Sequence, residues 1–318
     1  MNIVFNLLNC GLGNNGGSKT ILMCQNVLLE LGHQVEILTA VDNFTWFPHK
    51  KVITKLPKNI EVLVATACST VNHTIYYPGN FKKVWYIRGH EIWSMDENRL
   101  KNLYRTPRIL NIVNSKGLQS LLLDEFQARS EVVYQGIDLD LWYRLNDAKK
   151  KSPIRIGCLY HSKSSKNWRI FAKLARLLQN ETLGKYEFVS YGNIANDDNF
   201  LTEYYEKPSH EELLNLYNSC HIFLCPTSLE GLHNVGLEAA LCGCLIICNN
   251  NPLNGMIKDY AFEDKTAMIY EEGNIQSIID KINSPKWELV DPMIEHITKN
   301  IGSRKQNMKK FVEKCKEA

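Results

Sequence analysis

The sequence has no long apolar run, no low-complexity stretch and no internal repeat. No segment approaches the roughly 18–20 apolar residues of a membrane span, and the first residues lack the basic region and cleavage site of a secretory signal. We therefore expect a cytoplasmic protein whose ten cysteines are free thiols. The net charge is only +3, whereas dedicated nucleic-acid binders usually show a concentrated basic face. Composition alone thus gives no argument for a nucleic-acid binder.

The chain divides into two halves by composition. Its 318 residues exceed the roughly 250–300 residues at which one hydrophobic core stops growing, so two domains are expected. The segment 146–153 is polar and charged and ends in a proline. We predict the boundary there, with an N-terminal domain at 1–147 and a C-terminal domain at 148–318. Helical segments near 286–300 and 304–316 follow the last predicted strand, and the final one is a candidate to pack back on the N-terminal domain.

Short apolar runs of strand length alternate with amphipathic runs of helix length in both halves. This alternation is typical of parallel sheets covered by crossover helices. The predicted strands lie near 2–9, 34–39, 60–66, 83–87, 109–114 and 131–134, then 154–160, 186–191, 221–225 and 244–248. We therefore expect an α/β protein with two Rossmann-like, doubly wound parallel sheets that face each other across a cleft. Ligands of such sheets bind at the carboxyl ends of the strands.

A glycine-rich segment at 11–16 follows the first strand and precedes the first helix. It matches the dinucleotide fingerprint of a dehydrogenase, with Asp42 as the acid that would bind ribose. It also approaches the phosphate loop of nucleoside triphosphatases around Lys19, although Ser18 stands where that motif has glycine. Two other interpretations are a tight structural turn and a flexible loop in the cleft whose amides face acceptor or phosphate. The glycines of that loop are Gly13, Gly16 and Gly17.

The most informative motif runs from Pro226 to Gly243. It follows an apolar strand and opens a helix at about 234–242, where main-chain amides can bind a diphosphate. Glu238 lies one turn inside the helix and leans back toward its amino terminus, so its two oxygens can accept both hydroxyls of a ribose. Glu230, on the loop before the helix, is placed to accept from sugar hydroxyls beyond the diphosphate. The remaining donor-binding positions are Gly231, Leu232, His233, Asn234 and Val235.

The order of these elements resembles the family-4 glycosyltransferases, which retain anomeric configuration. The Glu-x7-Glu signature of that family is matched by Glu230 and Glu238. The turn at 32–35, the segment 136–138 and the helix at 211–217 are also similar, so the resemblance spans most of the chain. It implies a GT-B fold and transfer of a sugar, with retention, from a UDP- or GDP-linked donor to an acceptor hydroxyl.

The resemblance also implies a catalytic set. His90 would project from the first domain toward the reacting sugar, Lys166 would help neutralise the diphosphate, and Glu230 would contact the sugar. Members of the family usually have an arginine about five residues before the lysine, whereas this chain has His161 there with Lys163 nearby. Either of these could supply the second positive charge. The family's glutamate after the strand at 244–248 is absent, which leaves the donor sugar open.

We expect neither a cofactor nor an essential metal, because the amides and Lys166 offset the charge of the diphosphate. Asp138-x-Asp140 has the form of the metal-binding motif of the other large glycosyltransferase fold, but it precedes the predicted boundary, where the resemblance makes Asp138 a hinge residue. Five cysteines between 220 and 248 could suggest a zinc or iron–sulfur site. Cys225 and Cys248, however, belong to apolar strands, where a free cysteine behaves as a small hydrophobic residue.

The expected co-substrate is a nucleoside-diphosphate sugar, and the expected acceptor is a saccharide or a lipid-linked hydroxyl. Basic residues crowd the last helix from Arg304 to Lys316. They form either a solvated face or a surface for an anionic membrane or a polyanionic acceptor. One alternative is the same chemistry on DNA with hydroxymethylated bases. The other is an NAD-dependent dehydrogenase that uses Gly11–Gly16.

Overall fold

A computed structural model describes residues 1–145, 153–182 and 184–317 of the chain. The chain forms two compact units, one comprising Met1–Gly136 with Ser303–Ala318 and the other Ile137–Gly302. The predicted domain boundary between 147 and 148 lies outside the described residues. Among those described, no helix has the length and apolar character that a membrane crossing needs.

The first unit contains a six-stranded sheet in which every pairing is parallel. Its strands β1 to β6 are Asn2–Asn6, Gln34–Leu38, Val62–Ala65, Lys82–Ile87, Leu110–Val113 and Glu131–Val132. All six were predicted from their apolar runs. They lie in the order β2-β1-β3-β4-β5-β6, so the order reverses beside β1.

Helices cover both faces of this sheet. They are α1 at Gly16–Glu30, α2 at Cys68–Tyr76, α3 at Glu97–Tyr104 and α4 at Lys116–Asp124. Asn15 caps the amino terminus of α1, because its side chain accepts a hydrogen bond from the Ser18 amide at 2.9 Å. One buried cluster, around Phe5 and Leu28, packs on one face, and a second, around Trp85 and Tyr104, packs on the other.

The second unit has its own parallel sheet of six strands. Its strands β7 to β12 are Ile154–Leu159, Tyr186–Gly192, Glu203–Glu206, Ile222–Cys225, Leu245–Asn249 and Met268–Tyr270. Its helices α5 to α10 are Trp168–Glu181, His210–Ser219, Asn234–Leu241, Met256–Asp259, Ile275–Asn283 and Val290–His296. The strand order is β12-β11-β10-β7-β8-β9. The sequence prediction missed β9 and β12 and otherwise agrees with this sheet.

The last helix, α11 at Arg304–Glu317, belongs to the first unit. Its Phe311 ring stacks on Phe5 at 6.2 Å between centroids and lies 5.3 Å from Tyr86. Residues 137–145, by contrast, pack within the second unit, where the Trp142 ring lies 5.5 Å from Tyr217. These contacts place the change of unit at Gly136, eleven residues before the predicted boundary.

Candidate active site

The strand order of the second unit reverses between β7 and β10. At such a point the loops that follow the two strands diverge, and the crevice between them is the usual ligand site of a doubly wound sheet. The loop after β7 carries Lys166, and the loop after β10 carries Glu230. The topology therefore brings together two residues that the sequence separates.

An ion pair joins these two loops. Lys166 Nζ donates a hydrogen bond to Glu230 Oε1, and the two side chains are 22% and 16% exposed. The Thr227 hydroxyl oxygen lies 3.1 Å from the same Oε1 and 3.1 Å from the Ser165 carbonyl oxygen. Burial opposes ionisation of Glu230, but the neighbouring Lys166 ammonium outweighs it and holds the pKa of this carboxyl below its usual range. Glu230 is thus a charged acceptor at neutral pH.

Main-chain and amide hydrogen bonds fix the loop after β10. The Ser228 amide donates to the Ser165 carbonyl at 3.0 Å, which ties this loop to the one that carries Lys166. The Asn249 side-chain amide, at the end of β11, donates to the carbonyls of Pro226 and Thr227 at 2.8 and 2.7 Å. No pattern in the sequence marks Asn249 for this role.

Gly255 holds the other side of the Glu230 loop. Its amide donates to the Glu230 carbonyl at 3.2 Å, and the Glu230 amide donates to the Leu253 carbonyl at 3.2 Å. A Cβ atom at position 255 would lie 1.9 Å from the Gly231 carbonyl oxygen. Only glycine permits this approach of the two loops.

Gly255→Ala should therefore lower the stability of the fold by about 1–3 kcal/mol, because a rigid main chain must move to admit the methyl group. The free energy of unfolding in denaturant measures it. Gly16→Ala is the matched control, since a Cβ there meets nothing within 4 Å. Equal stability of the two variants would contradict the close approach.

His233 directly precedes helix α7 and caps its amino terminus. Its Nδ1 accepts from the Gly236 amide at 3.2 Å, and its carbonyl accepts from the Tyr260 hydroxyl at 3.0 Å. The ring is 5% exposed, and its Nε2 lies 4.0 Å from Glu230 Oε1. Burial lowers the pKa of this imidazole to about 4. A neutral ring that accepts at Nδ1 carries its proton on Nε2, so its remaining N–H is directed toward the side of Glu230.

The lowered pKa of His233 should make the stability of the fold depend on pH. His233 binds a proton in the unfolded chain below its ordinary pKa of 6.5 but stays neutral when folded until about pH 4, so folding loses stability as pH falls through that window. His233→Asn keeps a capping side chain and removes the titration. Between pH 7 and pH 5 the variant should lose about 2 kcal/mol less than the wild type in free energy of unfolding. Parallel pH profiles for the two proteins would rule out the buried neutral ring.

Glu238 lies on α7 and has a buried hydrogen-bond chain behind it. The Tyr217 hydroxyl donates to Glu238 Oε2 at 3.2 Å, and the Tyr191 hydroxyl is bonded to that of Tyr217. A carboxylate only accepts, so Tyr217 donates to Glu238 and Tyr191 in turn donates to Tyr217. Both phenols are buried. This chain fixes one oxygen of Glu238, and sequence reasoning missed it.

The other predicted donor residues lie around this pair of carboxylates. Gly231 and Leu232 are buried, whereas Asn234 and Val235 at the beginning of α7 are half-buried. His161 is half-buried, and its Nδ1 accepts from the Lys163 amide at 3.0 Å. Burial, with Lys166 and Lys163 nearby, lowers the pKa of His161, so this imidazole is neutral at pH 7. Lys163 is exposed.

In the first unit, the glycine loop lies at the carboxyl end of β1. The Gly13 amide donates to Ser18 Oγ at 3.1 Å, and α1 begins at Gly16. Arg88, at the end of β4, donates to the Gly17 carbonyl at 2.6 Å and to the Thr66 carbonyl at 3.0 Å. The sequence analysis did not single out Arg88, although it stands two residues before His90.

His90 is buried in the first unit, with 4% of its side chain exposed. Its Nδ1 lies 3.2 Å from the Tyr104 hydroxyl, and its Nε2 lies 3.7 Å from a Glu97 carboxylate oxygen. The ring also packs on Phe126, at 5.4 Å between centroids. Burial lowers the pKa of His90. Its predicted contact with the reacting sugar stays a prediction.

The described residues contain no group of three or more histidine, cysteine, aspartate or glutamate side chains arranged to hold a metal ion. All ten cysteines are free thiols, and nine of them are buried. Cys225 and Cys248 are register partners on β10 and β11 and lie inside the sheet, as their apolar context predicted.

Comparison with known proteins finds a family match in the segment that carries Glu230 and Glu238. Residues 201–288 match the sequence model of the family described as glycosyl transferases group 1. The match includes β10, α7 and both glutamates of the signature. None of the curated proteins is similar to this chain in sequence.

Solved structures extend the comparison to the whole chain. A sucrose-phosphate synthase from Thermosynechococcus elongatus has a TM-score of 0.77 at 14% identity, over 100% of this chain and 98% of that one. The chain has the GT-B fold. The Anabaena protein HepE, solved in complex with UDP-glucose, has a TM-score of 0.76 at 13% identity over 100% of both chains. A glycosyltransferase from Rickettsia africae ESF-5 has a TM-score of 0.73 at 13% identity, over 99% of this chain and 98% of that one. The predicted GT-B fold is confirmed, and the predicted enzyme class agrees with the match of residues 201–288 to glycosyl transferases group 1.

Proposed function

We propose that this protein transfers a sugar from a nucleoside diphosphate to an acceptor hydroxyl, with the donor bound in the second unit. The observation that carries the proposal is the position of Glu230 and Glu238. Glu230 lies on the loop before α7 and Glu238 lies one turn inside this helix, at the strand-order reversal of a doubly wound sheet and inside the segment that matches glycosyl transferases group 1. Such a crevice is where nucleotides bind in this class of sheet.

Glu238 and Glu230 bind different parts of the donor. Glu238, with one oxygen held by Tyr217, accepts hydrogen bonds from the ribose hydroxyls. The amides at the beginning of α7 and the Lys166 ammonium receive the diphosphate. Lys166 then exchanges its bond to Glu230 for one to phosphate, and the released Glu230 oxygen accepts from hydroxyls of the transferred sugar.

Charge stabilisation is the main catalytic contribution in this proposal. As the anomeric bond breaks, negative charge grows on the leaving diphosphate, and preorganised donors that face it lower the barrier. Because His161 is neutral at pH 7, we assign the second positive charge to Lys163. Two lysines and a helix amino terminus offset the charge without a metal ion, and the leaving phosphate accepts the acceptor proton.

Retention of configuration and the acceptor class rest on the family resemblance. A saccharide or lipid-linked hydroxyl is our proposal, with hydroxymethylated DNA bases as the alternative. The dehydrogenase alternative has less support, because the Asp42 carboxylate that it would use for ribose is bonded to His49 Nε2 at 2.9 Å.

A thermal-shift panel of UDP, GDP, CDP, ADP and NAD, with and without EDTA, tests the donor site. A ligand that binds only the folded state at 100 times its Kd stabilises it by about 2.7 kcal/mol. We expect one nucleoside diphosphate to raise the Tm, the corresponding sugar donor to be turned over, and EDTA to have no effect. Stabilisation by NAD alone would contradict the proposal.

Tyr217→Phe should weaken binding of that nucleoside diphosphate about ten-fold, because the phenol no longer positions the Glu238 carboxylate. Binding of its 2′,3′-dideoxy analogue, which has no ribose hydroxyls for Glu238, should change little. Isothermal titration calorimetry measures both. Tyr143→Phe is the control, since Tyr143 is 47% exposed. Equal losses for the two ligands would show that Tyr217 acts only on stability.

A further inference from the structure

An open cavity of about 950 Å³ lies in the first unit, at the amino-terminal ends of β3, β4 and β5. This edge of the sheet is opposite the carboxyl ends at which the glycine loop and Arg88 lie. The volume is in the upper range of small-molecule sites. None of the residues discussed for sugar transfer lines it.

Four cationic side chains and one acidic side chain line this cavity. The cations are Lys82, Lys83, Arg108 and Lys316, and the acid is Glu61. Within the part of the chain that the structure describes, none of the four cations makes an ion pair with a carboxylate, whereas Lys314 on the same α11 pairs with Glu131 and Glu317 at 3.2 and 2.9 Å. The carboxylate of Glu61 is itself occupied by the Asn2 amide, at 2.7 Å. The cavity is thus a concentrated positive field with little internal compensation.

The cations are also held in place. Lys83 Nζ donates to the carbonyls of Ile75 and Tyr77 at the end of α2, and Lys82 Nζ donates to the Lys316 carbonyl. The Arg108 guanidinium lies over the Tyr76 ring, 5.3 Å from its centroid. Stacking leaves the N–H edges of a guanidinium available for bidentate bonds to an oxyanion. Partial burial and the neighbouring Arg108 lower the pKa of Lys83, as expected where like charges stand close together.

We propose that this cavity binds a soluble, multiply phosphorylated small molecule. Phosphate groups can accept hydrogen bonds from the lysine ammonium groups and bidentate hydrogen bonds from the Arg108 guanidinium. Apolar side chains also line the cavity, among them Ile60, Phe81 and Ile109, so the ligand has room for an uncharged body beside its phosphates. A bilayer is the poorer partner, because Lys82 and Lys83 are half-buried in a concave surface, whereas membrane binding uses protruding cations. This site is independent of the proposed sugar transfer.

Inorganic tripolyphosphate is the probe, titrated calorimetrically into the whole chain at low salt. The Lys83→Gln/Arg108→Gln variant should weaken its binding on the order of 100-fold, since two charge-assisted contacts are lost, and Lys316→Gln about ten-fold. Lys314→Gln, whose lysine is already paired, is the matched control and should change the affinity less than about two-fold. Lys173→Gln, at an exposed position on α5 in the other unit, should also leave it unchanged. Lys316 is exposed, so its variant remains informative if the double variant unfolds.

Several outcomes would overturn the proposal. They are the absence of tripolyphosphate binding, binding that Lys316→Gln and the double variant leave intact, and binding that Lys166→Gln abolishes, which would place the anion at the donor site. Binding to phosphatidylserine vesicles without binding to tripolyphosphate would assign the surface to a membrane instead. Loss in the two cavity variants alone, with both controls intact, is the supporting result.

Discussion

Lys166→Ala should lower kcat/KM by about 100- to 1,000-fold in a folded protein, the usual effect of removing one preorganised donor from a developing negative charge. In the wild-type protein, the Lys166 ammonium donates a hydrogen bond to Glu230 at the crevice between β7 and β10. Its loss removes a positive charge from the leaving diphosphate. It also leaves the half-buried Glu230 without its cation, so the pKa of that carboxyl rises. Release of nucleoside diphosphate under steady-state conditions measures the effect.

Lys173→Ala provides the matched control for that experiment. Lys173 lies on α5, one turn beyond its beginning, and is exposed. The control should keep wild-type kcat/KM, and circular dichroism should show that both variants are folded. Comparable activity of Lys166→Ala and Lys173→Ala would remove Lys166 from the catalytic site.

Glu238→Ala should raise the Kd of the preferred nucleoside diphosphate by about 100-fold, because two hydrogen bonds between ribose hydroxyls and a charged acceptor are lost. The 2′,3′-dideoxy analogue serves as an internal control. It lacks those hydroxyls, so its Kd should be similar in the wild type and in the variant. Calorimetric titration of both ligands into both proteins completes a double-substitution cycle.

The cycle separates recognition from general damage to the site. A Glu238→Ala variant that weakens both ligands equally would show that the carboxylate supports the helix rather than the ribose. A variant that keeps its preference for the ribose form would place the ribose elsewhere. We expect the preference to disappear.

The sheets were largely predictable because most of their strands are buried on both faces. Ile222–Cys225 is completely buried and reads as an unbroken apolar run. The two missed strands lie at the edges of the second sheet. Glu203–Glu206 carries charged ends and no buried residue, and Met268–Tyr270 has three residues. The first of these strands offers no apolar run, and the second is too short for such a run to be recognised.

The last helix shows how composition can hide packing. Its lysines are typical of a solvated helix. A stripe of four residues is nevertheless buried in the core of the first unit, namely Met308, Phe311, Val312 and Cys315. These positions have helical spacing, so the signal was present in the sequence. Packing of this helix on the N-terminal domain was only a candidate in the sequence, because an apolar stripe does not specify its partner; the structure places the helix in the first unit.

The sequence indicated which residues form the candidate site, but it did not indicate the residues that hold them in position. Sequence patterns indicated the spacing of Glu230 and Glu238, the strand that precedes them and the helix that carries Glu238. The bond between Lys166 and Glu230 spans 64 residues and required the strand order. Tyr217 and Asn249 act through buried hydrogen bonds whose partners are distant in sequence, and no local pattern marks them.

The central claim is that the nucleotide binds in the second unit, between Glu230 and Glu238. A crystal structure of the chain with the nucleoside diphosphate that raises the Tm tests it most directly. We predict ribose hydroxyls on Glu238, and phosphates at the beginning of α7 within hydrogen-bond distance of Lys166. A nucleotide bound instead to the glycine loop at 11–17 of the first unit would contradict the account.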